Sequence, residues 1–249
     1  GYDLSKILSG SFGTLTVLTE IAVKVLPKPH TNKTIVIDNP HLKNALNYLN
    51  VALSSSSDPS GAVFYPDYFR EHFSLNDLTA EGALTAIRIE GPVDSVDQRI
   101  DYLRTELKLG TENISILDPE QSSLFWEKTQ NLSVFSNTNN NLIRVIVPPS
   151  STFELIQKLK KYEINYFIDW GGNLIWAELR KLNFKSLKEI GKIIRELEGY
   201  FTVIKIEKHL KAQVDIFVSD PIKYKISEKI KSSFDPKRIL NPGKMYTGI

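Results

Sequence analysis

The sequence has 249 residues, 41% hydrophobic and 24% charged, which is ordinary for a globular protein that buries a core. Basic residues number 31 and acidic residues 29, and this near balance argues against a nucleic-acid partner. The absence of cysteine excludes disulfides, thiolate metal sites, cysteine-ligated iron–sulfur clusters and a cysteine nucleophile within this sequence.

The first thirty residues have the pattern of a turn followed by a strand. Residues 10–14 (GSFGT) form a glycine-bearing turn, and residues 15–25 (LTVLTEIAVKV) are rich in β-branched side chains. Pro27 and Pro29 close the run. We therefore predict a strand over residues 15–25, in a position where nothing upstream is available to pair it.

From residue 30 onward, short apolar runs alternate with helical segments. Runs with β-branched or alternating apolar residues predict strands, and proline or aspartate before a longer amphipathic stretch predicts a helix start. The predicted strands are 34–37, 62–65, 84–90, 113–117, 142–147, 165–169, 174–179 and 201–206. The predicted helices are 40–53, 91–108, 118–129, 148–162, 185–197 and 220–233.

This order of elements predicts an α+β fold with antiparallel pairings and helices packed on one side of a sheet. Its doubled strand–helix–strand rhythm suggests two ferredoxin-like halves. Residues 171–173 (GGN) between two predicted strands indicate a hairpin. Residues 66–82 give no interpretable pattern, and the tail from residue 235 is expected to be irregular.

Compartment signals are few. No apolar run reaches the ~18 residues of a spanning helix, and the sequence does not start with a charged-then-apolar signal pattern. We therefore expect a soluble, cytoplasmic protein with no transmembrane segment.

The sequence assigns no catalytic residue. Its four histidines lack metal-ligand spacing, so we expect no metal site, and it contains no nucleophile elbow, Walker loop or dinucleotide fingerprint. Trp170 and Trp176 flank the predicted hairpin. The favoured interpretation is that paired indoles staple the hairpin, and the alternative is that they form the substrate-side aromatic wall of a ligand cavity.

Several segments together resemble the FAD-linked oxidases of the vanillyl-alcohol oxidase type. The resemblance is carried by residues 1–4 (GYDL), residues 10–15 (GSFGTL), and the tail with FDP at 234–236 and NPGKMY at 241–246. Residues 168–172 (IDWGG) with Trp176 are similar in particular to the E subunit of glycolate oxidase. The centre of the chain matches only loosely apart from this hairpin.

The resemblance implies a division of the chain. Residues 1–29 correspond to the carboxy-terminal remnant of an FAD-binding domain, and residues 30–234 to a ferredoxin-like α+β substrate (cap) domain. Residues 235–249 correspond to a tail that packs back toward the FAD domain. The family's pyrophosphate-binding loop would precede Gly1, so we expect an amino-terminally truncated chain.

The resemblance also implies FAD as the cofactor. Glycines permit close backbone approach, and backbone N–H groups can serve phosphate or ring oxygens. Thr16 departs from the family, since a glycine is usual there. Without the phosphate cradle we expect the isolated chain to retain no FAD, to be colourless and not to oxidise glycolate. The flavin-proximal candidates are Tyr2, Gly10, Ser11, Gly13, Thr14, Val17 and Asn241.

Two functions follow as alternatives. The first is a subunit of a glycolate oxidase-like, FAD-linked 2-hydroxy-acid oxidoreductase that contributes a flavin-facing surface in a heteromer. Its partners would be the catalytic flavoprotein and iron–sulfur subunits, or an upstream-encoded FAD-domain half, with peripheral contact to the inner membrane through them. The second is a non-catalytic split-gene remnant that folds but binds no FAD alone. A small-ligand module unrelated to flavin rests only on the tryptophan hairpin.

Overall fold

The computed structural model describes residues 3–38, 40–73, 82–110, 114–211, 214–215 and 221–246. Within these ranges its strands are β1 (Thr31–Asp38), β2 (Gly61–Tyr65), β3 (Leu84–Gly91), β4 (Ile114–Leu117), β5 (Asn141–Ile146), β6 (Ile164–Asp169), β7 (Leu174–Leu179) and β8 (Tyr200–Lys205). Its helices are α1 (Leu4–Leu8), α2 (Leu42–Ser54), α3 (Val93–Glu106), α4 (Pro119–Gln130), α5 (Thr152–Leu159), α6 (Phe184–Glu196), α7 (Lys208–Lys211) and α8 (Pro221–Phe234).

The described strands form one antiparallel sheet in the order β4-β1-β3-β2-β6-β7-β5-β8. The first half runs β1-α2-β2-β3-α3-β4 along the chain, and the second half repeats this plan as β5-α5-β6-β7-α6-β8. Each half has the ferredoxin-like order of elements, which confirms the predicted α+β fold and its doubling. The halves join where β2 pairs with β6, at Val63–Asp169 and Phe64–Ile168.

One face of the sheet is covered by α2, α3, α5 and α6, as predicted. Alternate strand residues point to this face because side chains on a strand have a period of two. They meet apolar stripes on the four helices in one large core. Its fully buried members include Ile35, Ala62, Ile87, Val145, Ile168 and Ile175 from the strands and Leu49, Leu103, Leu155 and Ile190 from the helices.

The opposite face corrects the expectation that helices lie on one side only. Helix α4 packs there and buries Phe125 and Trp126 in an aromatic cluster with Tyr65, Phe73 and Phe167. An Asp118 capping box fixes the start of α4. The Trp126 indole N–H donates to Thr34 Oγ1 at 2.9 Å, which anchors the helix to β1. Two adjacent large aromatics require an apolar surface, and this face supplies one.

The predicted strand over residues 15–25 is wrong. Leu15 is buried, but residues 17–30 are all exposed and form neither helix nor strand. We call residues 17–30 the connecting segment. A β-branched sequence forms a strand only where a neighbouring backbone completes its hydrogen bonds, and no described strand lies beside this segment.

The other predicted elements agree closely with the observed ones. Helices α1 and α7 were not predicted, and a 3₁₀ turn at Asp67–Phe73 lies in the region without an interpretable pattern. Residue 113 of the predicted fourth strand lies outside the described residues, as do residues 74–81. Over the part of the chain that the structure describes, no helix combines the length and apolarity needed to span a bilayer.

Candidate functional site

The predicted glycine-bearing turn follows α1. The Ser11 N–H donates to the Leu8 carbonyl at 3.1 Å, and the Thr14 N–H donates to the Ser11 carbonyl at 3.0 Å. The Thr14 hydroxyl donates to the same Ser11 oxygen at 2.7 Å. Gly10 and Gly13 have φ angles of 82° and 69°, a region that glycine adopts without strain. The turn is therefore held by its own hydrogen bonds.

The tail returns to this turn. The Asn241 side-chain amide donates to the Phe12 carbonyl at 2.9 Å, across 229 positions of sequence. A Cβ added at Gly13 would lie 2.9 Å from Asn241 Nδ2, so the glycine makes room for the amide. Residues 3–16 and 221–246 thus form one assembly, which we call the terminal cluster.

Lys231 of α8 holds the terminal cluster together. Its side chain is 1% exposed. The ammonium donates to the Thr14 carbonyl at 2.7 Å, the Leu240 carbonyl at 2.7 Å and the Asp235 carboxylate at 2.8 Å. The Lys231 hydrogen bond, with one from the Leu240 N–H, lowers the pKa of Asp235 to about 2. All three ammonium protons are therefore used, which is what a buried lysine requires.

A cleft of about 490 Å³ lies between the turn and the tail, and we call it the turn–tail cleft. It brings together five of the seven predicted flavin-proximal residues, together with Thr16. Thr14 is buried beside it and lines a smaller neighbouring cavity with Lys231. Tyr2, the remaining candidate, lies outside the described residues. The five are Gly10, Ser11, Gly13, Val17 and Asn241.

The lining of the turn–tail cleft fits a flavin ring better than a diphosphate. The Gly13 N–H has no hydrogen-bond partner among the described residues, and a Cβ at Gly10 would meet nothing within 4 Å. Apolar side chains such as Leu18 and Ile239 complete the wall. None of the described side chains that line the cleft is charged. A ring with carbonyl oxygens matches these donors and surfaces, whereas phosphates need several convergent donors or cations.

A second cleft, of about 380 Å³, lies on the α4 face of the sheet where the two halves join, and we call it the junction cleft. Arg88 of β3 and Gly61 of β2 come from the first half. Arg144 of β5 and Asp169 of β6 come from the second half. The chain has three tryptophans, and all three line this cleft: Trp126, Trp170 and Trp176.

Each arginine of the junction cleft lies over an indole. The Arg88 guanidinium carbon is 5.0 Å from the Trp126 ring centre, and the Arg144 carbon is 5.8 Å from that of Trp176. Arg88 is also paired with Glu90 at 3.3 Å. The Nε of Arg144, by contrast, is buried and has no hydrogen-bond partner among the described residues. Among the residues that the structure describes, no acidic side chain forms an ion pair with Arg144, so Arg144 supplies the cleft with a positive charge.

Asp169 is the acidic group of the junction cleft. Burial raises the pKa of its carboxyl group to about 6, partly offset by the Trp170 N–H, which donates to it at 2.8 Å, and by the charge of Arg144. At neutral pH the carboxyl group is therefore still mainly ionised, and it can accept hydrogen bonds from a ligand. No set of three or more metal-ligating side chains occurs among the described residues.

The structure separates the two interpretations of the tryptophan hairpin. The turn is formed as predicted, with Gly171 at φ 68° and Gly172 at φ 97°. Trp170 and Trp176 make no ring contact with each other; Trp176 stacks on its cross-strand neighbour Phe167, with ring centres 6.4 Å apart. The paired-indole staple is therefore wrong. Both indoles line the junction cleft, Trp170 with 51% of its surface exposed.

The sequence predictions missed Trp126, Arg88 and Arg144. These residues are separated along the chain, and only the order of the strands brings them together. The sequences of two strands did contain a signal that could have identified the two arginines. Arg88 and Arg144 each interrupt an apolar run (LTAIRIE and LIRVIV), where a charged residue on the partly buried face is unusual.

Comparison with known proteins identifies homologues along nearly the whole chain. The chain is 24% identical over 271 residues to glycolate oxidase subunit GlcD of Bacillus subtilis, covering 99% of this chain and 57% of that protein. It is 27% identical over 248 residues to glycolate oxidase subunit GlcE of Escherichia coli, covering 99% of this chain and 58% of that protein. The chain thus spans less than two thirds of the length of these relatives. No protein-family model matches it.

Solved structures share the fold. An alkyldihydroxyacetonephosphate synthase superposes with a TM-score of 0.60 at 19% identity, covering 98% of this chain and 51% of that chain. The homologues are thus glycolate oxidase subunits and FAD-linked oxidoreductases, at low identity but along the chain, and the structural neighbours also include a p-cresol methylhydroxylase.

Proposed function

We propose that this chain is part of an FAD-linked oxidoreductase of small 2-hydroxy acids and contributes a flavin-facing surface in a heteromer. Homology to FAD-linked oxidases sets the chemical class. One observation carries the assignment to a surface: the glycine turn and Asn241, far apart in sequence, meet in the turn–tail cleft. FAD, when bound, would supply the oxidant that takes two electrons from the substrate.

The residues of the chain would divide this work between its parts. Residues 1–29 and 235–249 would face the flavin, and residues 30–234 would form the substrate domain. In the turn–tail cleft, the unpaired Gly13 N–H and the Asn241 amide would bind polar atoms of the flavin ring, since both are hydrogen-bond donors at its wall. The apolar side chains would exclude water from the ring.

A second polypeptide surface would bind the FAD diphosphate. Among the described residues, no charged side chain lines the turn–tail cleft, so these residues provide little affinity for phosphates. The isolated chain is therefore expected to distinguish poorly between FAD and riboflavin, which share the ring and differ in the diphosphate. The partner would be an FAD-binding polypeptide of the glycolate oxidase type.

The connecting segment supplies a surface for this partner. Six of its large apolar side chains are more than half exposed: Val17, Leu18, Ile21, Val23, Val25 and Leu26. A run of this kind, β-branched and without a neighbouring strand among the described residues, can pair with a strand of another polypeptide. Burial of these side chains would contribute to association.

A flavin titration tests the proposal. FAD and riboflavin would each be titrated into the purified chain, alone and together with the polypeptide encoded immediately upstream, following flavin fluorescence. We expect equally weak binding of both flavins by the chain alone, and tight, stoichiometric binding of FAD by the mixture. Tight FAD binding by the chain alone would overturn the need for a partner. Lack of flavin binding by the mixture would favour the non-catalytic alternative.

A matched pair of glycine substitutions locates the flavin. Gly13 and Gly243 have φ angles of 69° and 70°, so replacement by alanine strains both alike. Only at Gly13 would the new Cβ displace Asn241, because at Gly243 it meets nothing within 4 Å. We expect Gly13→Ala to weaken FAD binding by the mixture at least about tenfold more than Gly243→Ala. Equal effects would place the flavin elsewhere.

A further inference from the structure

The junction cleft has the features of a small-molecule site. It is concave, its walls combine three indole rings and two leucines with polar side chains, and it holds two groups of opposite charge that form no ion pair with each other: Arg144 and Asp169. Sites that bind small ligands have this composition, because apolar walls exclude water and a few polar groups fix orientation.

The charges of the cleft define the ligand. Arg88 forms an ion pair with Glu90 at 3.3 Å, and its Nε donates a hydrogen bond to Ser60 Oγ at 3.0 Å. Its charge is therefore compensated within the chain. Arg144 has no such contact, and its buried Nε is left without a hydrogen-bond partner among the described residues. A buried donor of this kind is costly unless a ligand satisfies it. A carboxylate suits a guanidinium, since two parallel N–H groups can donate to its two oxygens.

The register of the sheet places the second polar group beside the first. Arg144 lies directly opposite Trp176, and Trp176 lies directly opposite Phe167. Asp169 follows on the same face of β6, two residues after Phe167. Strands β5 and β6 are two spacings apart, about 10 Å. The two side chains thus face each other across the Trp176 strand, at a separation that a small molecule can span.

We propose that the junction cleft binds a small monoanionic 2-hydroxy acid, whose carboxylate is held by Arg144 and whose hydroxyl group donates a hydrogen bond to Asp169. The ligand class rests on the function proposed above, whereas the two contacts rest on the cleft. Asp169 also sets specificity, because a second carboxylate in place of a hydrogen on the hydroxyl-bearing carbon would be repelled by the Asp169 carboxylate. The indoles of Trp170 and Trp176 form the walls.

Intrinsic fluorescence tests the binding directly, without flavin, because all three tryptophans line the cleft. Glycolate would be titrated into the purified chain, with three comparison ligands: acetate lacks the hydroxyl, ethylene glycol lacks the carboxylate, and tartronate adds a second carboxylate. We expect a saturable fluorescence change with glycolate, weaker binding of acetate and tartronate, and none of ethylene glycol. A glycolate titration without saturation would overturn the proposal.

Three variants assign the contacts. Arg144→Gln should weaken glycolate binding at least about tenfold, since it removes a charge-assisted hydrogen-bond pair. Asp169→Asn should abolish the preference for glycolate over tartronate. Arg180→Gln is the matched control, because Arg180 is exposed just beyond the end of β7 and outside the cleft. Unchanged glycolate affinity in Arg144→Gln, with a circular dichroism spectrum and thermal midpoint like those of the wild type, would overturn the assignment.

The experiments distinguish failure of the proposed flavin function from failure of the proposed ligand site in the junction cleft. Loss of flavin binding by the mixture leaves the glycolate titration of the chain unaffected. If Arg144→Gln does not fold, Arg144→Lys replaces it, since lysine keeps the charge but cannot present two parallel N–H groups. In that variant we expect weaker glycolate binding than in the wild type, and equal binding would count against the Arg144 contact.

Discussion

Two buried cations show how differently the sheet and the terminal cluster are held together. Arg70 follows β2 and pairs with Asp38 at the end of β1, at 2.7 Å, beside the aromatic cluster on the α4 face. Lys231 binds three oxygens from two segments that have little apolar core of their own. In the sheet the ion pair adds to a large core. In the terminal cluster, the hydrogen bonds of one ammonium group connect the two segments, and apolar burial contributes little.

This difference indicates two levels of stability in one chain. The sheet satisfies its backbone groups in a continuous ladder and buries both faces, so it should unfold only globally. The terminal cluster depends on a few polar contacts and should open on its own. The part that would face the flavin is then the part that depends most on a partner. Four sets of substitutions test this contrast.

Replacement of Arg70 should have the largest effect. Arg70→Met leaves the Asp38 carboxylate buried without its cation, and we expect the free energy of unfolding to fall by about 3–5 kcal/mol. Urea unfolding followed by circular dichroism measures it. The double variant Arg70→Met/Asp38→Asn removes both charges and should recover part of the loss. A single-variant loss below about 1 kcal/mol would show that the sheet does not rely on this pair.

Replacement of Lys231 should open the terminal cluster and leave the sheet intact. In Lys231→Met, the hydrogen-bonded backbone amides of the terminal cluster should exchange with deuterium on the order of 100-fold faster, because three oxygens lose their donor. These amides are those of Ser11, Thr14, Leu240 and Lys244. Lys229→Met on the exposed side of α8 is the matched control. Amides of β1 and β3 should keep wild-type rates. If those amides also exchange faster, the terminal cluster and the sheet form one cooperative unit, and the contrast between them is lost.

Replacement of Asp169 should stabilise the folded chain at neutral pH. Burial raises the pKa of this carboxyl group from 3.8 to about 6, so the ionised form costs folding free energy above pH 6. Asparagine avoids this cost and can still accept the hydrogen bond from the Trp170 N–H. We expect Asp169→Asn to raise the free energy of unfolding by about 2 kcal/mol at pH 7.5.

The pH dependence checks the sign of this effect. As the pH falls from 6 to 3.8, the folded wild type becomes protonated before the unfolded chain does, so the wild type gains stability relative to the variant. The advantage of the variant should therefore vanish near pH 4. Urea unfolding at pH 7.5 and pH 4 measures it, and a difference that stays constant with pH would assign the effect to packing.

The sequence predicted the sheet well because its strands and helices carry local patterns. Alternating apolar residues located the strands, and a capping aspartate located the start of α4. Residues 15–25 failed because β-branched residues report a preference for strands and not the presence of a neighbour. The junction cleft could not be predicted from the sequence, because only the order of the strands brings Arg88, Asp169 and Arg144 together.

The turn–tail cleft shows the opposite case. Nothing local in the sequence places Asn241 beside Gly13; the family resemblance did so, and the structure brings the two together. Local patterns in the sequence therefore identified the helices and strands, while long-range contacts required either homology or the structure. The flavin roles of these residues remain predictions.

Substitutions in the connecting segment should have the smallest effect on folding and the most informative effect on association. Ile21 and Val23 are 67% and 74% exposed, so Ile21→Ser/Val23→Ser should change the free energy of unfolding by less than about 0.5 kcal/mol. The buried Ile35→Ser in β1 is the contrasting variant, since it places an unpaired hydroxyl and a cavity in the core.

The same double variant should weaken binding to the FAD-binding partner, measured by sedimentation of the mixture, because it removes apolar surface that the complex would bury. A loss of stability in the chain alone would mean that the connecting segment packs against the sheet. Unchanged association would mean that the partner binds elsewhere. Only the combination of an unaffected fold and a weakened complex supports a segment that completes its strand with a second polypeptide.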